Sequence, residues 1–163
     1  MNNIQLNEAY ANWTASREYD LKLDLNTESE LTFEQMSKLL CKYFYKLECD
    51  VFGYELRYIY NRENFRIKRV VMIEGDDKRT HSHILVKTLK GWTNEQMIEL
   101  LKLGWNEINK AKKDKAFLFN AENINSRSAV SRYNTKDTQR QNEKLNDVIC
   151  LRSSFISKHS KDN

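Results

Sequence analysis

The sequence predicts an α+β domain, an antiparallel sheet with two helices on one face and a site for chemistry on the other. Three observations predict it. Residues 19–25 (Tyr-Asp-Leu-Lys-Leu-Asp-Leu) alternate apolar and polar, the period-2 mark of a half-buried strand. Residues 32–40 and 93–101 share Thr-x-Glu-Gln-Met-x-x-Leu-Leu, and each opens an amphipathic run. Between these runs, two strand-like segments flank a short polar turn, as in a β-hairpin.

Taken in order, residues 19–25 form the first strand. Thr32-Phe-Glu-Gln35 is a capping box that starts a helix with Met36, Leu39, Leu40, Tyr43, Phe44 and Leu47 on one stripe. A less regular stretch ends near Gly53. Residues 67–74 (IKRVVMIE) read as a strand, 75–79 (GDDKR) as the turn, and 80–88 (THSHILVKT) as the returning strand. Thr93-Asn-Glu-Gln96 is the second capping box, with Met97, Leu101, Trp105 and Ile108 on its stripe. The charged segment 109–115 breaks that pattern. Residues 116–119 (AFLF) read as a short apolar strand, and 126–143 as a mostly polar helix capped by Ser126 or Ser128. Residues 148–151 are a candidate last strand. The order β-α-β-β-α-β is the split βαβ, or ferredoxin-like, plan. One domain is expected over residues 14–156, with flexible tails at 1–13 and 157–163.

Composition bounds the function. A chain of 163 residues, 40% apolar and 11% aromatic, is sized and composed for one folded domain. No run approaches the roughly 18 apolar residues of a membrane helix, so no membrane association is expected. The start lacks a basic segment followed by an apolar one, so no signal peptide is expected. The three cysteines form no Cys-x-x-Cys pair, which fits free thiols and a cytoplasmic setting. Net charge is +4, but residues 110–163 alone carry twelve Lys/Arg against six Asp/Glu. That basic final third suits a polyanion, nucleic acid above all.

Strand alternation sorts the hairpin into two faces. Val71, Ile73, Ile84 and Val86 share one, apolar enough to pack beneath the helices. Val70, Met72, Glu74, His81, His83 and Leu85 share the other. His81 and His83 therefore project the same way from Cα atoms roughly 6.5–7 Å apart. Glu74, on the partner strand across the turn, faces them. Two imidazoles and one carboxylate can hold a divalent cation and leave positions open for water or a phosphate oxygen. A His-x-His pair by itself also decorates exposed sheet faces. Tyr133 and Lys136 lie i, i+3 on the polar helix and share a side, which Arg140 extends by one turn. A tyrosine attacks phosphorus once its proton is lost and nearby cations balance the phenolate.

The His-Ser-His strand, the upstream Glu and the downstream Tyr-x-x-Lys together resemble the HUH endonuclease superfamily. The likeness is to its single-tyrosine rolling-circle replication initiators (Reps) and spans residues 19–145. It implies a ferredoxin-like sheet carrying metal ligands on its open face, beside a helix that presents the nucleophile. His81 and His83 match the histidine pair, Glu74 the third ligand, and Tyr133 and Lys136 the tyrosine motif. The family's first motif, a Thr-Leu-Thr-like strand, falls near residues 21–25 and is not matched there. No Walker A motif follows, and Asp137 stands where related transposases carry Gln.

The resemblance implies Mg²⁺ or Mn²⁺ as cofactor, although the donor set also suits Zn²⁺. Its implied activity is nicking and joining of single-stranded DNA to initiate rolling-circle replication, through a 5′-phosphotyrosine at Tyr133. The implied partners are single-stranded DNA, including an origin hairpin, and a host replication helicase and polymerase. Two other classes compete: a non-cleaving, sequence-specific DNA-binding replication regulator, and a metal-dependent hydrolase of small phosphoesters. His159 lies in a polar stretch, and neither Cys41 nor Cys49 has the context of a nucleophile. Trp13 and Trp92 are candidates for base stacking, whereas Trp105 belongs to a core stripe.

Overall fold

Alternation of Leu21, Leu23 and Leu25 with Lys22 and Asp24 makes a strand with one apolar face, and the rest of the fold is built against it. The computed structural model describes residues 19–54, 65–75, 80–109, 118–124, 150 and 154–155. Its elements are β1 (Leu21–Leu25), α1 (Phe33–Phe52), β2 (Arg69–Gly75), β3 (Thr80–Val86), α2 (Asn94–Ile108) and β4 (Phe119–Asn123). The strands form one sheet in the order β2-β3-β1-β4, with every neighbouring pair antiparallel. The expected β-α-β-β-α-β order is therefore present.

Both capping boxes form as read. Thr32 accepts from the Gln35 N–H while the Gln35 side chain accepts from the Thr32 N–H, and Thr93 and Gln96 repeat the arrangement. Each closes two otherwise unpaired backbone donors at a helix start. Gly53, at φ 93°, ends α1 in a conformation that disfavours a side chain.

One core lies between the helices and the sheet. Met36, Leu40, Tyr43, Phe44 and Leu47 from α1 join Met97, Leu101 and Trp105 from α2. They pack on Leu21, Leu23, Leu25, Val71, Ile73, Ile84 and Val86. The two helices meet at Gly104, where an added Cβ would lie 2.6 Å from Leu47 Cδ2. Nearby, the buried Tyr43 hydroxyl donates to Leu101 O at 2.7 Å, and Trp105 Nε1–H to Asn26 O at 3.1 Å. Trp105 is thus a core residue, as its stripe predicts.

The fourth strand needs correction. The sequence places a short apolar strand at 116–119, whereas β4 begins at Phe119 and continues through Asn-Ala-Glu-Asn. Among the described residues β4 pairs with β1 alone, so its place is set by backbone pairing, and polar residues suffice on its exposed side. The outer side of β2 is bridged at Arg69 to Phe155, and Cys150 N–H donates to Val71 O at 2.9 Å. Cys150 is the one described residue of the strand expected at 148–151, and it is not in a strand. The helix expected at 126–143 lies outside the described residues.

On the face away from the helices, Tyr19, Val70, Met72 and Leu85 make a second small apolar cluster with Ile124 against it. Beyond that cluster, towards the end of the hairpin where β2 passes to β3, the same face turns polar.

Candidate metal centre

Antiparallel pairing sets Glu74 directly opposite His81, and Met72 opposite His83. Because side chains alternate along each strand, Glu74, His81 and His83 emerge on the face away from α1 and α2, as the sequence predicts. The two rings stand edge to face with centroids 5.0 Å apart. Glu74 Oε2 lies 3.7 Å from His81 Nε2 and 3.5 Å from His83 Nε2. One ligand atom from each residue falls within 4.8 Å of the others.

The donors fit a divalent cation. An ion about 2.0–2.2 Å from each donor separates those donors by roughly 2.8–3.6 Å, close to the observed spacings. Glu74 is nearly buried, and among the described residues its Oε2 has no hydrogen-bond partner. A buried carboxylate oxygen without a partner is costly. A cation between it and the two imidazoles removes that cost. His81 is the most exposed of the three at 39%, so the cluster opens to solvent on its side.

The carboxylates here also attract a proton, which a cation would have to displace. Burial works against the charge of Glu74, but the facing imidazoles outweigh it and hold the carboxyl at about 2. Burial also opposes an imidazolium at His83, yet Asp24 on one side and Glu74 on the other keep its proton up to about 9. Asp24 is held at about 2, burial being overcome by His83, Asn120 and Lys22. The centre is therefore a place of concentrated negative charge that retains a positive one.

Asp24 was not singled out by the sequence. It sits on β1 directly opposite His83, and its Oδ1 lies 2.5 Å from His83 Nδ1. Its other oxygen accepts from Asn120 Nδ2 on β4 and pairs with Lys22 Nζ, both at 3.2 Å. The signal was present in principle: alternation puts Asp24 on the open face, and a split βαβ plan sets the first strand beside the third.

Tyr133, Lys136 and Arg140 lie outside the described residues, as do Trp13 and His159. Trp92 is partly exposed, at 38%. Among the described residues, no helix is long and apolar enough to cross a membrane. Compared with protein-family models, curated proteins and solved structures, the chain finds no match.

Proposed function

We propose that this chain is a metal-dependent endonuclease of the HUH type that nicks and rejoins single-stranded DNA through a covalent tyrosine intermediate. The observation that carries this reading is the cluster of Glu74, His81 and His83 on the face of the sheet away from α1 and α2. The strand order β2-β3-β1-β4, with each helix crossing over one intervening strand, supports the ferredoxin-like plan that this class uses.

Glu74, His81 and His83 hold the divalent ion, Mg²⁺ or Mn²⁺. When bound, it supplies Lewis-acid polarisation of a phosphate oxygen. The remaining work falls to the chain itself. The Tyr133 oxygen, having lost its proton, attacks phosphorus, and the bond to the 3′ oxygen breaks. That oxygen takes up a proton and leaves as a 3′-hydroxyl, while the 5′ phosphate stays on Tyr133. Lys136, three residues further along the chain, supplies positive charge to stabilise the phenolate. The phosphotyrosine retains a phosphodiester bond, so attack by a 3′-hydroxyl restores the strand.

The test is incubation with Mn²⁺ and single-stranded oligonucleotides from the DNA flanking the gene, resolved on a denaturing gel. Wild type is expected to give a denaturant-resistant adduct at the 5′ side of the nick. Tyr133→Phe should bind the oligonucleotide and give no adduct, and His83→Ala should give neither nick nor adduct. Binding without cleavage by wild type would place the chain among non-cleaving DNA-binding regulators. Metal-dependent nicking without an adduct would favour the simple phosphoesterase.

A further inference from the structure

We propose that Asp24 is the positioning residue of the metal centre, fixing the ring orientation and tautomer of His83 so that its Nε2 lone pair faces Glu74. This rests on the metal reading of Glu74, His81 and His83 and extends it to a residue on another strand.

A histidine ligand has two nitrogens, and only an unprotonated one can bind a metal. Which one is free depends on what the other nitrogen is bonded to. In this centre His83 Nδ1 lies 2.5 Å from Asp24 Oδ1, and His83 Nε2 lies 3.5 Å from Glu74 Oε2. A carboxylate only accepts hydrogen bonds, so Asp24 demands a proton on Nδ1. The lone pair of the neutral ring then falls on Nε2, the atom that faces the cluster. With no acceptor at position 24, the proton can sit on Nε2 and the ring can turn about its Cβ–Cγ bond.

Asp24 is itself held in place. Strand pairing sets it opposite His83 on one side and opposite Asn120 on the other. Asn120 Nδ2 donates to Asp24 Oδ2, and Lys22 Nζ approaches the same oxygen, each at 3.2 Å. A line of side chains thus crosses three strands, from Asn120 through Asp24 to His83. His81 shows no comparable partner at Nδ1 among the described residues. Among the described residues, orientation by a partner carboxylate therefore falls on His83. Partners of this kind raise the basicity of a ligating imidazole and fix its aim, and their loss typically weakens metal binding about 10–100-fold.

The test uses Zn²⁺ as a diamagnetic probe on the full chain, with affinity measured by competition against a chromophoric chelator. Long-range ¹H–¹⁵N spectra of the loaded protein report which His83 nitrogen carries the proton. In wild type, Nδ1 is expected to be protonated and Nε2 bound to metal. Asp24→Ala should lower Zn²⁺ affinity about 10–100-fold, while the thermal melt of the metal-free protein reports separately on folding. Asp24→Asn keeps the side-chain volume and decides the matter should the alanine variant fail to fold. Its amide can offer a donor to Nδ1, so a mixed His83 tautomer and an intermediate affinity are expected. Folded Asp24 variants that bind Zn²⁺ within about twofold of wild type, with Nδ1 still protonated, would overturn the positioning role. A wild type that binds no Zn²⁺ would overturn the metal centre itself, and this proposal with it.

Discussion

His83 carries most of the chemistry at the scale of a single residue. It is gripped by Asp24 at Nδ1 and faces Glu74 at Nε2, and the two carboxylates raise its proton affinity from 6.5 to about 9 despite burial. A group whose pKa rises on folding stabilises the fold below its unfolded value and loses that contribution as pH climbs through the folded one. Asp24 and Glu74, both lowered to about 2, act in the opposite sense and lose theirs as pH falls through that value. The chelator-treated protein is thus expected to be most stable between roughly pH 5 and 6.5, and to weaken steadily towards pH 9. Thermal melts across that range check it, and His83→Ala should flatten the alkaline decline. A divalent ion must displace the proton from Nε2, so metal affinity should tighten over the same interval. Titrations with Mn²⁺ at several pH values measure that directly.

At the scale of the element, α1 is anchored to β2 by charge as well as by apolar packing. Glu48, near the end of α1, accepts from Arg69 Nη1 at 2.6 Å and from the Ile67 N–H at 3.1 Å. Arg66 Nε approaches its other oxygen at 2.8 Å. Arg69 is 2% exposed, with its guanidinium over the Phe44 ring. Burial pulls the guanidinium down to about 10 even with Glu48 beside it. Removing one partner of a buried pair strands the other charge, at a cost of about 3–5 kcal/mol. Glu48→Ala is expected to lose that much in urea denaturation. Replacing both residues, as in Glu48→Leu with Arg69→Met, should recover most of it, because apolar side chains of similar size need no charged partner.

Across the whole molecule, charge is divided unevenly, and the basic residues 110–163 are the part suited to a phosphate backbone. If about six phosphates of single-stranded DNA are engaged, the slope of log affinity against log salt is about −4. A threefold rise in salt should then weaken binding roughly 50–100-fold. Fluorescence anisotropy with a labelled oligonucleotide measures it. An affinity that stays flat with salt would argue against a phosphate-tracking surface.

Local chemistry alone determined much of this protein. The Thr-x-x-Gln boxes placed both helix starts, and period-2 alternation assigned each hairpin residue to the helix face or the open face. The spacing of His81, His83 and Glu74 pointed to a cluster with the donors to hold a metal before any contact was known, because a hairpin brings near neighbours in sequence together. Only the tertiary structure decided what lies further off. The run at 116–119 was apolar enough to suggest a strand, yet pairing with β1 placed β4 at Phe119–Asn123. Asp24 looked like one more polar residue of an alternating strand. It became the partner of His83, 59 residues away, through the register of β1 against β3. Such pairings depend on how whole strands line up once a shared core forms, and no short stretch of sequence carries that information.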